Sequence, residues 1–116
     1  MRIKPVAGLL LLIYVLAFNT SASIEKEYFA IFIDGQKVGH AVHTREQTEN
    51  QVRTTDEVNL TITRLNMPIS ITTIETSIET PSGKPLGFET VQNMSFMQTR
   101  IIGKVNPDGM VDVTTI

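Results

Sequence analysis

Tight-turn signals punctuate this chain at short intervals, and the segments between them carry a strand pattern instead of a helix pattern. Asp34-Gly35 pairs two residues that tolerate positive φ. Residues 48–51, "TENQ", form a polar turn, and residues 80–87, "TPSGKPLG", hold two prolines and two glycines. In "NPDG", residues 106–109, proline takes the second turn position. Beyond residue 23 no segment repeats apolar residues at i, i+3, i+4 and i+7 over three turns. Fifteen threonines, with valine, isoleucine and phenylalanine, supply β-forming content.

Residues 27–33, "EYFAIFI", are nearly all apolar and read as a strand covered on both faces. Residues 37–47 read as its return strand across the Asp34-Gly35 turn. In residues 52–65, Val58, Leu60 and Ile62 alternate with Asn59, Thr61 and Thr63, the mark of a strand with one buried and one wet face. Met67-Pro68 marks an interruption, because proline cannot donate to a ladder. In residues 69–79 the apolar parity switches from Ile69 and Ile71 to Ile74 and Ile78, which predicts a bulge near Thr72-Thr73. Residues 88–97 and 98–105 read as two more strands, and residues 110–116 open a last one. The pattern predicts an all-β fold, an antiparallel meander of about seven strands forming a curved sheet or open barrel.

The first 23 residues have a different character. Arg2 and Lys4 precede an apolar run from Val6 to Phe18, and small polar residues follow. That is the layout of a signal peptide, expected to be a helix and to be cleaved after Ala22 or Ser23. The run is short against the roughly 20 residues a spanning helix needs, so stable membrane insertion after cleavage is not expected. The expected organisation is a leader over residues 1–23 and a β-rich domain over residues 24–116, in a protein exported to the periplasm or secreted. Because the sequence stops inside its last strand, the domain is expected to be truncated at its C-terminus.

Removing the leader takes away two cations and shifts the net charge from −2 to about −4. No basic cluster remains, which argues against nucleic acid as a partner. The absence of cysteine excludes disulfides, thiolate metal sites and thiol nucleophiles. His40 and His43 lie three apart, so on a regular strand their imidazoles point to opposite faces and cannot share a metal. Gly35 serves the turn. Gly39 lacks the helix and the Lys-Ser/Thr pair of a phosphate loop, and marks a bulge or a close backbone approach. Ser70, Ser77, Ser82 and Ser95 have no nucleophile elbow around them, and the adjacent Asp56 and Glu57 face opposite sides. Asn59-Leu60-Thr61 and Asn93-Met94-Ser95 match the short glycosylation acceptor pattern. No catalytic, cofactor-binding or metal-binding residue is assigned from the sequence.

Four stretches in order, "YFAIFIDGQKVGHAVHTRE", "TTDEVNLTITRLNMPISI", "ETPSGKPLGFET" and "GKVNPDGMV", resemble the N-terminal β-rich region of bacterial exported proteins of the transglutaminase-like family. The resemblance spans about Tyr28 to Val113. It implies a papain-like catalytic domain later in such a protein, where the family's catalytic Cys, His and Asp lie. No such residue can be carried onto this chain, because it has no cysteine and its two histidines sit in the first hairpin. The resemblance therefore implies a non-catalytic accessory domain, without a cofactor, whose partner is the downstream catalytic domain or another protein. Such a domain braces the thiol enzyme or positions a protein or peptide substrate.

Two other functions fit the same residues. One is a stand-alone periplasmic module for a lipid or other hydrophobic ligand, lined by Phe29, Ile31, Val58, Leu60, Ile62, Phe88, Phe96 and Met97. The other is a surface-interaction domain that uses an unpaired strand edge.

Overall fold

The structure, a computed structural model, describes residues 22–116. The helix expected for the leader falls outside the described residues. Seven antiparallel strands form one sheet in strict chain order. They are β1 (Ser23–Ile33), β2 (Gln36–Gln47), β3 (Val52–Arg64), β4 (Met67–Glu79), β5 (Pro85–Met94), β6 (Met97–Val105) and β7 (Val111–Thr115). Each strand pairs only with its neighbours in sequence, so the sheet stays open with β1 and β7 as its edges. Of the two forms expected from the sequence, the structure takes the open sheet.

Register assigns the side chains to two faces, since directly paired residues share a face. The front face carries Phe29, Ala41, Val58 and Thr73 in one row, and Ile31, Gly39, Leu60, Ile71, Met94 and Met97 in the next. The back face carries His40, Asn59, Thr72, Asn93 and Gln98. Val58, Leu60 and Ile62 alternate with Asn59, Thr61 and Thr63 as the sequence predicts, but among the described residues the sheet has no second layer. Among the described residues only Val52, 2% exposed, and Gly103 are buried.

Four local expectations change. The apolar run of residues 27–33 predicts a doubly covered strand, yet β1 is an edge strand, with Tyr28 73% and Phe32 60% exposed. A continuous apolar run looks the same in a buried strand and in an edge awaiting a partner. β4 runs without a bulge through Thr72-Thr73. Its parity switch only sends Ile69 and Ile71 to the front and Ile74 and Ile78 to the back, which a strand open on both sides permits. The register shifts lie elsewhere, leaving Val38 in β2 and Leu86 in β5 without a cross-strand partner.

Met67-Pro68 does not interrupt the sheet either. A two-residue turn at Leu65-Asn66 joins β3 to β4, and Pro68 pairs with Thr63. Strand pairing with β5 begins at Ile71, so Pro68 lies where β4 is flanked by a strand on one side only. The fourth change is a turn at Ser95-Phe96, inside a segment read as continuous strand. Ser95 takes φ 50° there, as the first central residue of a type II′ hairpin does.

The hairpin turns alternate between two ends of the sheet. The upper rim holds Asp34-Gly35, Leu65-Asn66 and Ser95-Phe96, and the lower rim holds the three longer turns. The lower turns close through backbone bonds, Thr48 N–H to Gln51 O at 2.9 Å, Gly83 N–H to Thr80 O at 2.9 Å and Gly109 N–H to Asn106 O at 2.9 Å. Gly83 at φ 94° and Gly109 at φ 86° occupy conformations that glycine adopts freely. On the upper rim Leu65 at φ 54° and Asn66 at φ 63° make a type I′ pattern. A leucine in that left-handed region costs about 1–2 kcal/mol.

Candidate functional site: the uncovered front face and its upper rim

Across the middle of the front face, Glu27, His43, Asp56, Glu75 and Thr90 occupy successive strands in one row. His43 Nδ1 lies 2.5 Å from Asp56 Oδ1. This hydrogen bond raises the His43 pKa above its ordinary value, opposed by partial desolvation and helped by the charges of Asp56 and Glu27. A shallow hollow of about 270 Å³ beside the row is lined by Thr54, Asp56, Glu75, Ser77, Phe88 and Thr90, among others. Ser77 stands on β4 while His43 stands on β2, with β3 between them, so the Ser77 hydroxyl is not placed for activation by the imidazole. The row can hold and release a proton.

His40 points to the back face. Its Nε2 lies 3.3 Å from Asn59 Nδ2, which also donates to Glu57 Oε1 at 3.2 Å, while Thr72 Oγ1 donates to Asn59 Oδ1 at 2.8 Å. The odd spacing of the two histidines therefore separates them, as strand parity requires. Among the described residues no cluster of His, Asp and Glu has a metal-binding arrangement.

Gly39 is the close approach its sequence position implies. A Cβ there would fall 1.9 Å from the backbone oxygen of Asn59, beside the unpaired Val38. Gly103 is covered differently, by the ring of Phe88 on the neighbouring strand, whose atoms would lie 2.1 to 2.7 Å from an added Cβ. An aromatic ring over a cross-strand glycine compensates for the missing side chain.

Of the eight apolar residues singled out from the sequence, seven share the front face and Phe96 sits on the upper rim. Above the polar row the front face is mainly apolar, and it continues onto that rim. Leu65 is 91% exposed, Phe96 94%, Met67 68% and Met97 65%. Between the second and third tips lies a groove of about 370 Å³, lined by Leu65, Met67, Ile69, Met94, Phe96 and Met97 among others. A backbone bond from Ser95 N–H to Ser70 O at 2.9 Å seats the third tip against the side of β4, while the Leu65-Asn66 hairpin reaches further along the strands. Sequence reasoning missed this juxtaposition because neither turn carries a glycine. The exposed Leu65 and Phe96, adjacent to Asn66 and Ser95, were the available signal.

Compared with known proteins, the chain matches no family model, no curated protein and no solved structure. Among the described residues no helix is long and apolar enough to cross a membrane.

Proposed function

We propose that this chain is a non-catalytic β-layer that acts by packing its front face against a second protein layer. In the reading favoured by the sequence resemblance, that layer is the papain-like domain of an exported transglutaminase-like protein. The sheet then braces the enzyme or positions a protein or peptide substrate along it. One observation carries the reading: seven strands lie in a single layer with only Val52 and Gly103 buried among the described residues. Stable domains bury the apolar side of a sheet against another layer, and this sheet supplies one half of such a pair. The lack of a cysteine and the placement of the two histidines on opposite faces support a non-catalytic role. The reading predicts that the coding frame runs on past Ile116 into a cysteine-containing segment. A stop codon directly after Ile116 would contradict it.

A second reading is a module for a lipid or other hydrophobic ligand. The gathering of seven of the eight apolar candidates on one face favours it. Native mass spectrometry of protein from an exporting host tests this reading through co-purified lipid. Protein that arrives free of lipid would count against it.

A further inference from the structure

Independently of what covers the front face, we propose that the outer edge of β1 pairs with β1 of a second copy of this chain, antiparallel about a twofold axis at Ala30. Among the described residues β1 has a strand partner on one side only, β2. The strand is 11 residues long. Its register shift is taken up by Val38 on β2, so β1 itself carries no extra residue. Residues 28–33 hold neither a charge nor a proline, two devices that keep an exposed edge from pairing. Tyr28, Ala30 and Phe32 are all exposed. β7, the other edge, is five residues long and carries Asp112, so it is the poorer template. Backbone geometry decides which groups of β1 are free. Ile33 and Gln36 flank a two-residue turn, with Asp34 at φ 50° and Gly35 at φ 78°, and such a flanking pair is hydrogen-bonded. Alternation along the strand then turns the N–H and C=O groups of Tyr28, Ala30 and Phe32 outward.

Side-chain complementarity selects the second copy and its register. With the axis at Ala30, Tyr28 faces Phe32 of the second copy on the back, and Phe29 faces Ile31 on the front. Lys26 lies across from the Asp34 turn, where its long side chain can reach the carboxylate. Each of these contacts occurs twice, and only Glu27 meets an apolar residue, Ile33. An axis at Lys26 or Glu27 would set like charges together, and an axis at Tyr28 or Phe29 would set Glu25, Lys26 and Glu27 all against apolar residues. A foreign peptide would also satisfy the free backbone groups, but it leaves this self-complementary order without a cause. The twofold stands perpendicular to the sheet, so both front faces lie on one side and the pairing closes, with β7 at each outer edge. Two paired strands alone bury less than the roughly 1,200 Å² of a stable complex, so association is expected near about 100 µM and not in dilute solution.

The absence of cysteine lets single thiols be placed on the full chain and oxidised. At the axis the two copies of residue 30 stand about 5.5 Å apart, inside the range of a disulfide. The two copies of residue 28 stand about 13 Å apart, four residues along the ladder, and so do those of residue 32. Ala30→Cys is therefore expected to form a disulfide-linked dimer at about 100 µM. Tyr28→Cys alone and Phe32→Cys alone should not, whereas a mixture of those two variants should cross-link with each other. In sedimentation equilibrium the unmodified chain should approach twice its mass, and Ala30→Pro should weaken association about tenfold or more. Proline at an outward-facing position removes an N–H that the single sheet does not use, so the variant keeps its β-sheet circular dichroism. The cysteine pattern decides the register even if the proline variant does not fold. Cross-linking at 28 alone as fast as at 30, or a dimer that survives Ala30→Pro, overturns the proposal. So does a chain that stays monomeric and unlinked at 30. Linkage at Leu60→Cys without linkage at 30 overturns it in favour of face-to-face packing, and binding of an unrelated extended peptide by a monomeric chain overturns it in favour of a foreign strand.

Discussion

The two rims of the sheet obey different rules. On the lower rim, residues 80–87 and 106–109 use proline and glycine where turn geometry calls for them, and backbone bonds close both turns. Exposed large apolar residues occur here too, Leu86 at the first of these turns and Met110 and Val111 after the second. On the upper rim, Leu65 and Ser95 occupy positive φ, and the tips expose Leu65, Met67, Phe96 and Met97. Turn chemistry at the lower rim is accounted for by the fold. At the upper rim local preference is overridden without any gain in intramolecular packing, a pattern expected where a surface serves a partner. The front face repeats the contrast, because its apolar rows adjoin the upper rim and the charged row of Glu27, His43, Asp56 and Glu75 separates them from Phe88 and Val113.

The largest effect is expected from alanine at two glycines, one in each half of the sheet. Gly39→Ala drives a Cβ into the Asn59 carbonyl and should destabilise the sheet by about 3 kcal/mol in urea unfolding. Gly103→Ala first meets the Phe88 ring, which can swing aside at the expense of its contacts, so about 1–2 kcal/mol is expected. Equal losses would mean that the strand crossing at Gly39 is looser than described.

The turns offer a contrast of sign. Gly109→Ala on the lower rim forces alanine to φ 86° and should destabilise by about 1–2 kcal/mol. Leu65→Asn on the upper rim should instead stabilise by up to about 1 kcal/mol, because asparagine accepts the left-handed region. If Leu65→Asn destabilises, Leu65 contributes to the fold after all and the contrast between the rims fails.

A smaller effect concerns pH. The bond to Asp56 raises the His43 pKa in the folded chain above the ordinary value of about 6.5. The pair therefore contributes stability that is fully present below the unfolded value and is lost as pH rises through the folded one. Protein and His43→Gln variant should differ in stability near pH 5 to 6 and converge at more alkaline pH. In NMR titration the His43 imidazole should titrate above about 6.5, and Asp56→Asn should lower it. An unchanged titration in Asp56→Asn would remove the pair as the cause.

Much of the fold was legible in the residues. The Asp34-Gly35 hairpin, the alternation around Val58 to Ile62 and the separation of His40 from His43 all follow from a period of two. Gly39 was legible as well, because a glycine within a strand pattern signals a bulge or a close approach, and the structure has both there. The turns at Leu65-Asn66 and Ser95-Phe96 were harder to see, since each depends on a residue that rarely takes positive φ. The openness of the sheet was not legible. The apolar runs of β1 and β4 fit a closed core and an uncovered surface equally well, and the choice depends on what packs against them. For the same reason the surface site emerged only when register brought the strands together.

The central claim, that the front face is an uncovered docking layer, is tested most directly by thiol labelling at Leu60→Cys in the middle of that face. The cysteine-free chain makes the reaction specific. In dilute native protein, labelling should proceed within about tenfold of the rate in the urea-unfolded chain, because no second layer among the described residues shields the site. Labelling about a thousandfold slower than in the unfolded chain would show that the face is already a closed core, and would contradict the account.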